Sequence, residues 1–175
     1  MKFTSLLSKA PVFAAFLLLQ PCHSWSALAD AQSAFAKLQS LAGTWEGTAK
    51  DGSKSRVEYE VVAGNSAVVE RFVNDKMGAE NAMVTVYYLD GGRLLLQHYC
   101  MAKNQPRMKA ESFDAAGNEL RFEFLDATGL PNPQAGHMHN ATIRFIDADH
   151  ISQEWQFFEN GKQKFAETLQ YTRVR

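Results

Sequence analysis

The sequence predicts an all-β fold: about ten antiparallel strands in an up-and-down β-barrel, with a short N-terminal helix closing one end. Three observations lead there. Apolar and polar residues alternate from Thr44 to the C-terminus, the period of a half-buried strand. Turn signals such as Gly64-Asn65, Asp90-Gly91-Gly92 and Asn160-Gly161 interrupt the alternation at short intervals, as hairpin connections do. One connection, 127–136, is long, so the remaining strands are expected to pair with their chain neighbours. Closure into a barrel then removes the sheet edges. A two-sheet sandwich is the alternative for the same strands, and a jelly roll fits less well.

The first stretch reads as an address rather than as structure. Lys2 and Lys9 form a basic region, Pro11 to Leu19 is an apolar run too short to span a bilayer, and Ala27-Leu28-Ala29 resembles a cleavage site. The expectation is a secretory signal peptide over 1–29 and a single barrel domain over 30–175. The protein would then be exported, to the periplasm or the extracellular space. Cys22 after the apolar run raises a lipoprotein alternative, although Pro21 stands where lipid attachment wants a small residue. Removing 1–29 takes away two lysines and no acid, so the net charge moves from −1 to −3. With no basic patch or charge run, nucleic acid is not an expected partner. Cys100 is then the one cysteine left, which excludes an internal disulfide; its thiol is buried, bound to something, or paired between chains. The 175 residues, 46% of them hydrophobic, suffice for one domain with a sizeable core.

In order along the mature chain, Ala29 to Leu41 is expected as a helix. Phe35, Leu38 and Leu41 form its apolar stripe, and Gly43 stops it. The expected strands are 44–50, 54–63, 66–74, 82–89, 93–101, 106–113, 119–126, 137–147, 150–158 and 162–173.

Leu41-Ala42-Gly43-Thr44-Trp45-Glu46-Gly47 after a short helix resembles the Gly-x-Trp opening of lipocalin-like, or calycin, barrels. The resemblance implies that Trp45 closes the barrel floor and packs on an arginine of the final strand, Arg173 or Arg175. Within that superfamily the chain looks most like secreted bacterial lipocalin-like proteins of unknown function. More loosely it resembles the haem-binding nitrobindin branch, whose Gly- and Tyr-rich continuation after the first strand it lacks.

Two i, i+2 pairs carry the chemistry, His98 with Cys100 and His137 with His139. Residues two apart on a strand share a face. Leu94 and Leu96 share a face with the first pair; Ala141, Ile143 and Phe145 share one with the second. Both pairs are therefore expected to point inward. Counting strand directions from the helix puts all four residues at the open end, with Met108 at the same level. The neighbouring loops 102–105 and 127–136 would form a lid. Gln153 and Trp155 on the ninth strand and Glu167 on the tenth should also face inward. A buried Glu167 needs a partner, and Arg71 would supply it if that residue, rather than Glu70, points inward.

Imidazole and thiolate suit Zn, Cu or Ni, although no C-x2-C or H-E-x-x-H spacing is present, and Arg144 stands where a cupin pattern places Glu. The plainer reading makes the histidines hydrogen-bonded groups of a polar cavity and Cys100 a small buried hydrophobe. Haem on an inward histidine is a further alternative. So is an enzyme using Cys100, a histidine and Glu167 on a bound substrate. Copper ligation by Met83, Met101, Met108 or Met138 is weakened because Met101 and Met138 read as outward. The expected protein is an exported barrel binding a small apolar or amphipathic ligand. Met108, Phe145, Gln153, Trp155 and Glu167 would line its cavity, with His98, Cys100, His137 and His139 at its mouth. Its oligomeric state is left open.

Overall fold

The computed structural model describes residues 24–49, 51–114 and 118–175, with side chains from Asp30 onward. The expected signal peptide up to residue 23, and the side chains around its expected cleavage site, lie outside the described residues. Among the described residues no helix is long and apolar enough to cross a membrane.

One helix, α1 (Ser24–Gln39), precedes ten strands: β1 (Gly43–Thr48), β2 (Lys54–Val62), β3 (Ala67–Asn74), β4 (Met83–Asp90), β5 (Arg93–Tyr99), β6 (Gln105–Asp114), β7 (Glu119–Thr128), β8 (His137–Phe145), β9 (His150–Glu159) and β10 (Lys162–Arg173). Every strand pairs antiparallel with its chain neighbours, and β1 pairs with β10, so the sheet closes. The expected strands agree with these bounds to within two residues at each end, while the helix starts earlier than the expected Ala29. Seven of the nine strand connections are short enough to leave no choice but neighbour pairing.

The closing seam depends on a glycine. A Cβ on Gly47 would stand 2.4 Å from the Gln170 carbonyl oxygen across the β1–β10 pair, so any side chain there would force the seam apart. Alternation along the strands fills the interior with Val57, Val68, Leu94, Leu96, Leu120, Phe122, Ile143 and Ile151.

Helix α1 closes one end. Phe35, Leu38 and Leu41 are buried against this core, as their spacing predicts. Trp45, fully buried beside them, donates its indole N–H to the Leu41 carbonyl at 2.8 Å. Arg173 from the end of β10 lies over the Trp45 ring at 4.2 Å. It also donates to the carbonyls of Ala42 (2.8 Å), Ser40 (2.9 Å) and Ala148 (3.2 Å). Of the two arginines the resemblance offers, Arg173 makes this clamp; Arg175 pairs with Asp149 instead. Gly43 has φ +126°, and its missing Cβ would meet the Arg173 guanidinium at 3.1 Å, so both the backbone and the clamp require glycine there.

Candidate functional site

The end opposite α1 is open. A funnel of about 540 Å³ enters it between Phe72, Asn74, Lys76, Met77, Met83, Cys100, Met101, Met138, Phe157, Phe165 and Glu167. Beneath the funnel lies a neck of about 30 Å³, bounded by Phe72, Met83, His98, Met138, Trp155, Glu167 and Leu169, with Glu70 and Gln153 at its floor. The sizes decide what each can hold. The funnel lies in the range of small-molecule sites, whereas the neck takes a water or an ion. A porphyrin cannot enter it, so haem ligation by His98 does not fit.

His98 is the most constrained residue of the neck. Its Nδ1 is 2.9 Å from the Thr85 hydroxyl, directly across the β4–β5 ladder, and its ring packs on Trp155 at 4.8 Å between centroids. Its Nε2 is buried and has no partner. Burial pushes the imidazole pKa down to about 4, so the ring is neutral at physiological pH. Two residues on, Cys100 is half-buried and its Sγ lies 4.0 Å from Met83 Sδ. Burial raises the thiol above its usual range. That opposes thiolate formation and gives the nucleophile reading no support.

At the floor the buried carboxylate is Glu70. The Tyr87 hydroxyl donates to Glu70 Oε2 at 2.6 Å and Gln153 Nε2 donates to the same oxygen at 3.0 Å, while Gln153 also contacts the Tyr59 hydroxyl. Burial pushes the Glu70 carboxyl up, and these donors only partly offset it. Burial, and then the nearby Glu70 charge, raise the Tyr59 and Tyr87 phenols well above their ordinary value.

Several expectations need correcting against this geometry. Glu167 lines the funnel and neck but is exposed rather than buried, and Arg71 is exposed as well; Glu70 takes the inward position on β3. Gln153 and Trp155 do face the neck. Met108 and Phe145 are buried in the core rather than lining the neck or funnel. Phe145 sits toward the closed end, under Lys37 of α1 at 5.3 Å.

The largest correction concerns the two histidine-bearing pairs. They lie at the expected end but do not converge, and among the described residues no three His, Cys, Asp or Glu side chains are grouped to hold a metal. The cause is a β-bulge. Pairing of β8 with β9 shifts between Met138 and Asn140, leaving His139 as the extra residue. A one-residue bulge reverses which face alternate residues occupy. Below it Ala141, Ile143 and Phe145 are buried in the interior as expected; above it Met138 takes the inward place. His137 and His139 line a separate groove of about 680 Å³ beside Leu125, Leu130, Pro131 and Pro133. The β7–β8 ladder ends at Glu123–Asn140, although β7 continues to Thr128. There, His139 is stacked between Phe124 (4.8 Å) and Phe158 (4.2 Å). His137 Nδ1 donates to the Ala135 carbonyl at 2.8 Å, and its Nε2 pairs with His139 Nδ1 at 3.0 Å. The two rings thus consume each other's ligating nitrogens, except for His139 Nε2.

Sequence reasoning missed Thr85 as a member of the site, left Glu70 open against Arg71, and weighed Met83 and Met138 only as weak copper ligands, with Met138 read as outward. Met83 and Thr85 alternate with the inward Tyr87 and were legible from β4 parity; Met138 was not, because nothing in the alternation announces the bulge. The two loops expected over the mouth are tied together, with Asn104 Nδ2 donating to the Gly136 carbonyl at 2.8 Å.

The structure is a closed ten-stranded antiparallel barrel with a plug helix and a Trp–Arg clamp. No protein-family model matches the chain, and no curated protein matches it significantly. Among solved structures it is similar to a protein of unknown function from the DUF3598 family of Nostoc punctiforme. That match has a TM-score of 0.51 at 10% identity, over 78% of this chain and 49% of that one. The chain therefore spans about half of that protein's length. An S-type phycobiliprotein lyase from Guillardia theta matches with a TM-score of 0.39 at 11% identity, over 89% of this chain and 99% of that one. A de novo designed fluorescence-activating β-barrel matches with a TM-score of 0.34 at 16% identity, over 78% and 96% of the respective chains. Of these three, the first superposes well enough to bear on the fold, and at that identity it bears on the fold alone.

Proposed function

We propose that this protein binds a small, largely apolar molecule in the funnel at the open end of its barrel. The observation that carries the reading is the contrast between the two ends. One is sealed by α1 and the Trp45–Arg173 clamp; the other leaves about 540 Å³ open between Phe72, Phe157, Phe165 and four methionines. Apolar walls supply affinity by desolvation, and Glu167 at the rim, beside the Lys76–Asp51 ion pair, offers a charged anchor for a polar end. Methionine side chains re-pack readily around different shapes, so the walls favour a class of ligands over one rigid shape. The N-terminal sequence supports an exported protein that does this outside the cytoplasm, in keeping with its resemblance to secreted bacterial lipocalin-like proteins.

The test uses N-phenyl-1-naphthylamine, a neutral apolar fluorophore, with energy transfer from tryptophan as the second readout. Its emission is expected to rise on binding, with transfer from Trp155, and Met138→Lys is expected to weaken binding about tenfold or more by placing a charge in the apolar wall. Equal binding by wild type and Met138→Lys, or no binding by a folded wild type, overturns the reading.

A further inference from the structure

Soft donors collect where the funnel meets the neck, with Cys100 on the funnel side and His98 on the neck side. Cys100 and Met83 meet at 4.0 Å between sulfurs. Two sulfur ligands on one metal, each about 2.3 Å from it and about 120° apart, stand about 4 Å from each other. Met83 and Met138 line both the funnel that holds Cys100 and the neck that holds His98. His98 brings a buried, unpartnered Nε2, and its opposite nitrogen is held by the Thr85 hydroxyl. That arrangement recurs where histidines bind metals, because the second hydrogen bond fixes the ring and the tautomer. The space left, about 30 Å³, suits an ion. Trp155, packed on His98, presents an aromatic face beside that space, which favours a cation.

We propose that Cys100 Sγ, Met83 Sδ, Met138 Sδ and His98 Nε2 form a site for a soft monovalent metal ion, copper(I), where the funnel meets the neck of the barrel. The proposal rests on the reading of the open end as the binding end. Thiolate and thioether select copper(I), whereas zinc favours thiolate, imidazole and carboxylate and gains little from two methionines. Binding exchanges the Cys100 thiol proton for the metal; one proton leaves and no electron moves. Thr85 is a positioning residue, acting through His98. The histidine pair 137/139 plays no part, since its facing nitrogens are committed to each other.

The experiment titrates the reduced protein with copper(I) held by bicinchoninate under anaerobic conditions, following chelator absorbance and tryptophan emission. The expected result is one copper(I) per chain, with emission quenched in wild type and not in Trp155→Phe. Cys100→Ser should lose the competition. Met83→Leu and Met138→Leu, which conserve volume and so preserve the fold, should each weaken binding. Thr85→Val should weaken it by about 10–100-fold. X-ray absorption of the loaded protein should show a sulfur-dominated shell. The inference is overturned by failure to compete for copper(I). It is also overturned by binding that is indifferent to both methionine variants and to Cys100→Ser, or by zinc(II) bound in preference. Binding of the apolar fluorophore is measured on the same samples. If it persists while copper(I) fails, the metal site alone falls; if copper(I) binds and the fluorophore does not, the funnel reading falls.

Discussion

Arg173→Ala should unlock the closed end of the barrel, and the structure sets the size of the effect. The guanidinium donates to three backbone carbonyls, those of Ser40, Ala42 and Ala148, and lies 4.2 Å over the Trp45 ring. Two of those carbonyls belong to the link between α1 and β1, and the third to the turn before β9, so one side chain ties three chain segments together. Because the group is partly solvated, each hydrogen bond is assigned about 1 kcal/mol or less net, and the cation–π contact about 0.5–1 kcal/mol. Water reaches the freed carbonyls, so the sum is discounted to about 3 kcal/mol. That corresponds to a fall in Tm of about 6–12 °C for a domain of this size. Arg173→Lys keeps the charge over the ring but not the planar fork, and should lose more than half of the same stability. Urea unfolding followed by far-UV circular dichroism measures both, with the midpoint expected to move and the slope to stay. A change below about 0.5 kcal/mol in Arg173→Ala, within the range of an ordinary surface substitution, would refute the clamp. Equal stability of Arg173→Lys and wild type would show that charge, not geometry, is what matters.

Leu38 of α1 is fully buried against the barrel core, so Leu38→Ala should cost about 3–4 kcal/mol by leaving a cavity; a thermal unfolding midpoint within error of wild type would mean that α1 does not plug the barrel. Glu70→Gln tests the buried floor through pH. Burial raises the folded pKa of Glu70 above its unfolded value of 4.5. The stability contributed by the protonated form is therefore complete below that value and is lost as pH rises through the folded value. The substituted amide mimics the protonated acid and keeps an acceptor for Tyr87 and Gln153, so wild type should lose Tm relative to Glu70→Gln as pH rises above the unfolded value of 4.5. Parallel Tm profiles would show that Glu70 does not titrate against folding.

The barrel was legible because its signals are local. Strand boundaries follow from turn residues such as Gly64-Asn65 and Asn160-Gly161, and strand order follows from connections too short to reach anything but a neighbour. Parity was reliable wherever pairing ran unbroken: His98, Gln153, Trp155 and Ile143 all face inward as the alternation implies. It failed at β8 because a bulge is a property of the pair and not of one strand. Residues 137–145 alternate without a break in the sequence, and only the ladder to β9 shows the inserted residue. Exposure of Glu167 was illegible for a related reason. Inward parity near the rim of a barrel means facing the mouth, where water reaches, and parity carries no information on depth. Glu70 lies deeper on its strand, opposite Thr85, and there the same parity means burial.

The bulge at His139 also bears on the chemistry of the open end. Had β8 kept its register, His137 and His139 would have joined His98 and Cys100 inside, giving the nitrogen-rich set with one thiolate that suits zinc. One extra residue moves two imidazoles into the outer groove, where they stack between Phe124 and Phe158, and brings Met138 into the neck. Opposite, β4 presents Met83 across from Cys100. The interior donor set thereby changes from three imidazoles and two sulfurs to one imidazole and three sulfurs, with no change in the amino acids themselves. Deleting His139 removes the extra residue and leaves its neighbours on the faces they already hold, with Met138 inward, Asn140 outward and Ala141 inward. The soft-donor proposal then requires such a variant to keep its preference for copper(I) over zinc(II), and loss of that preference counts against it.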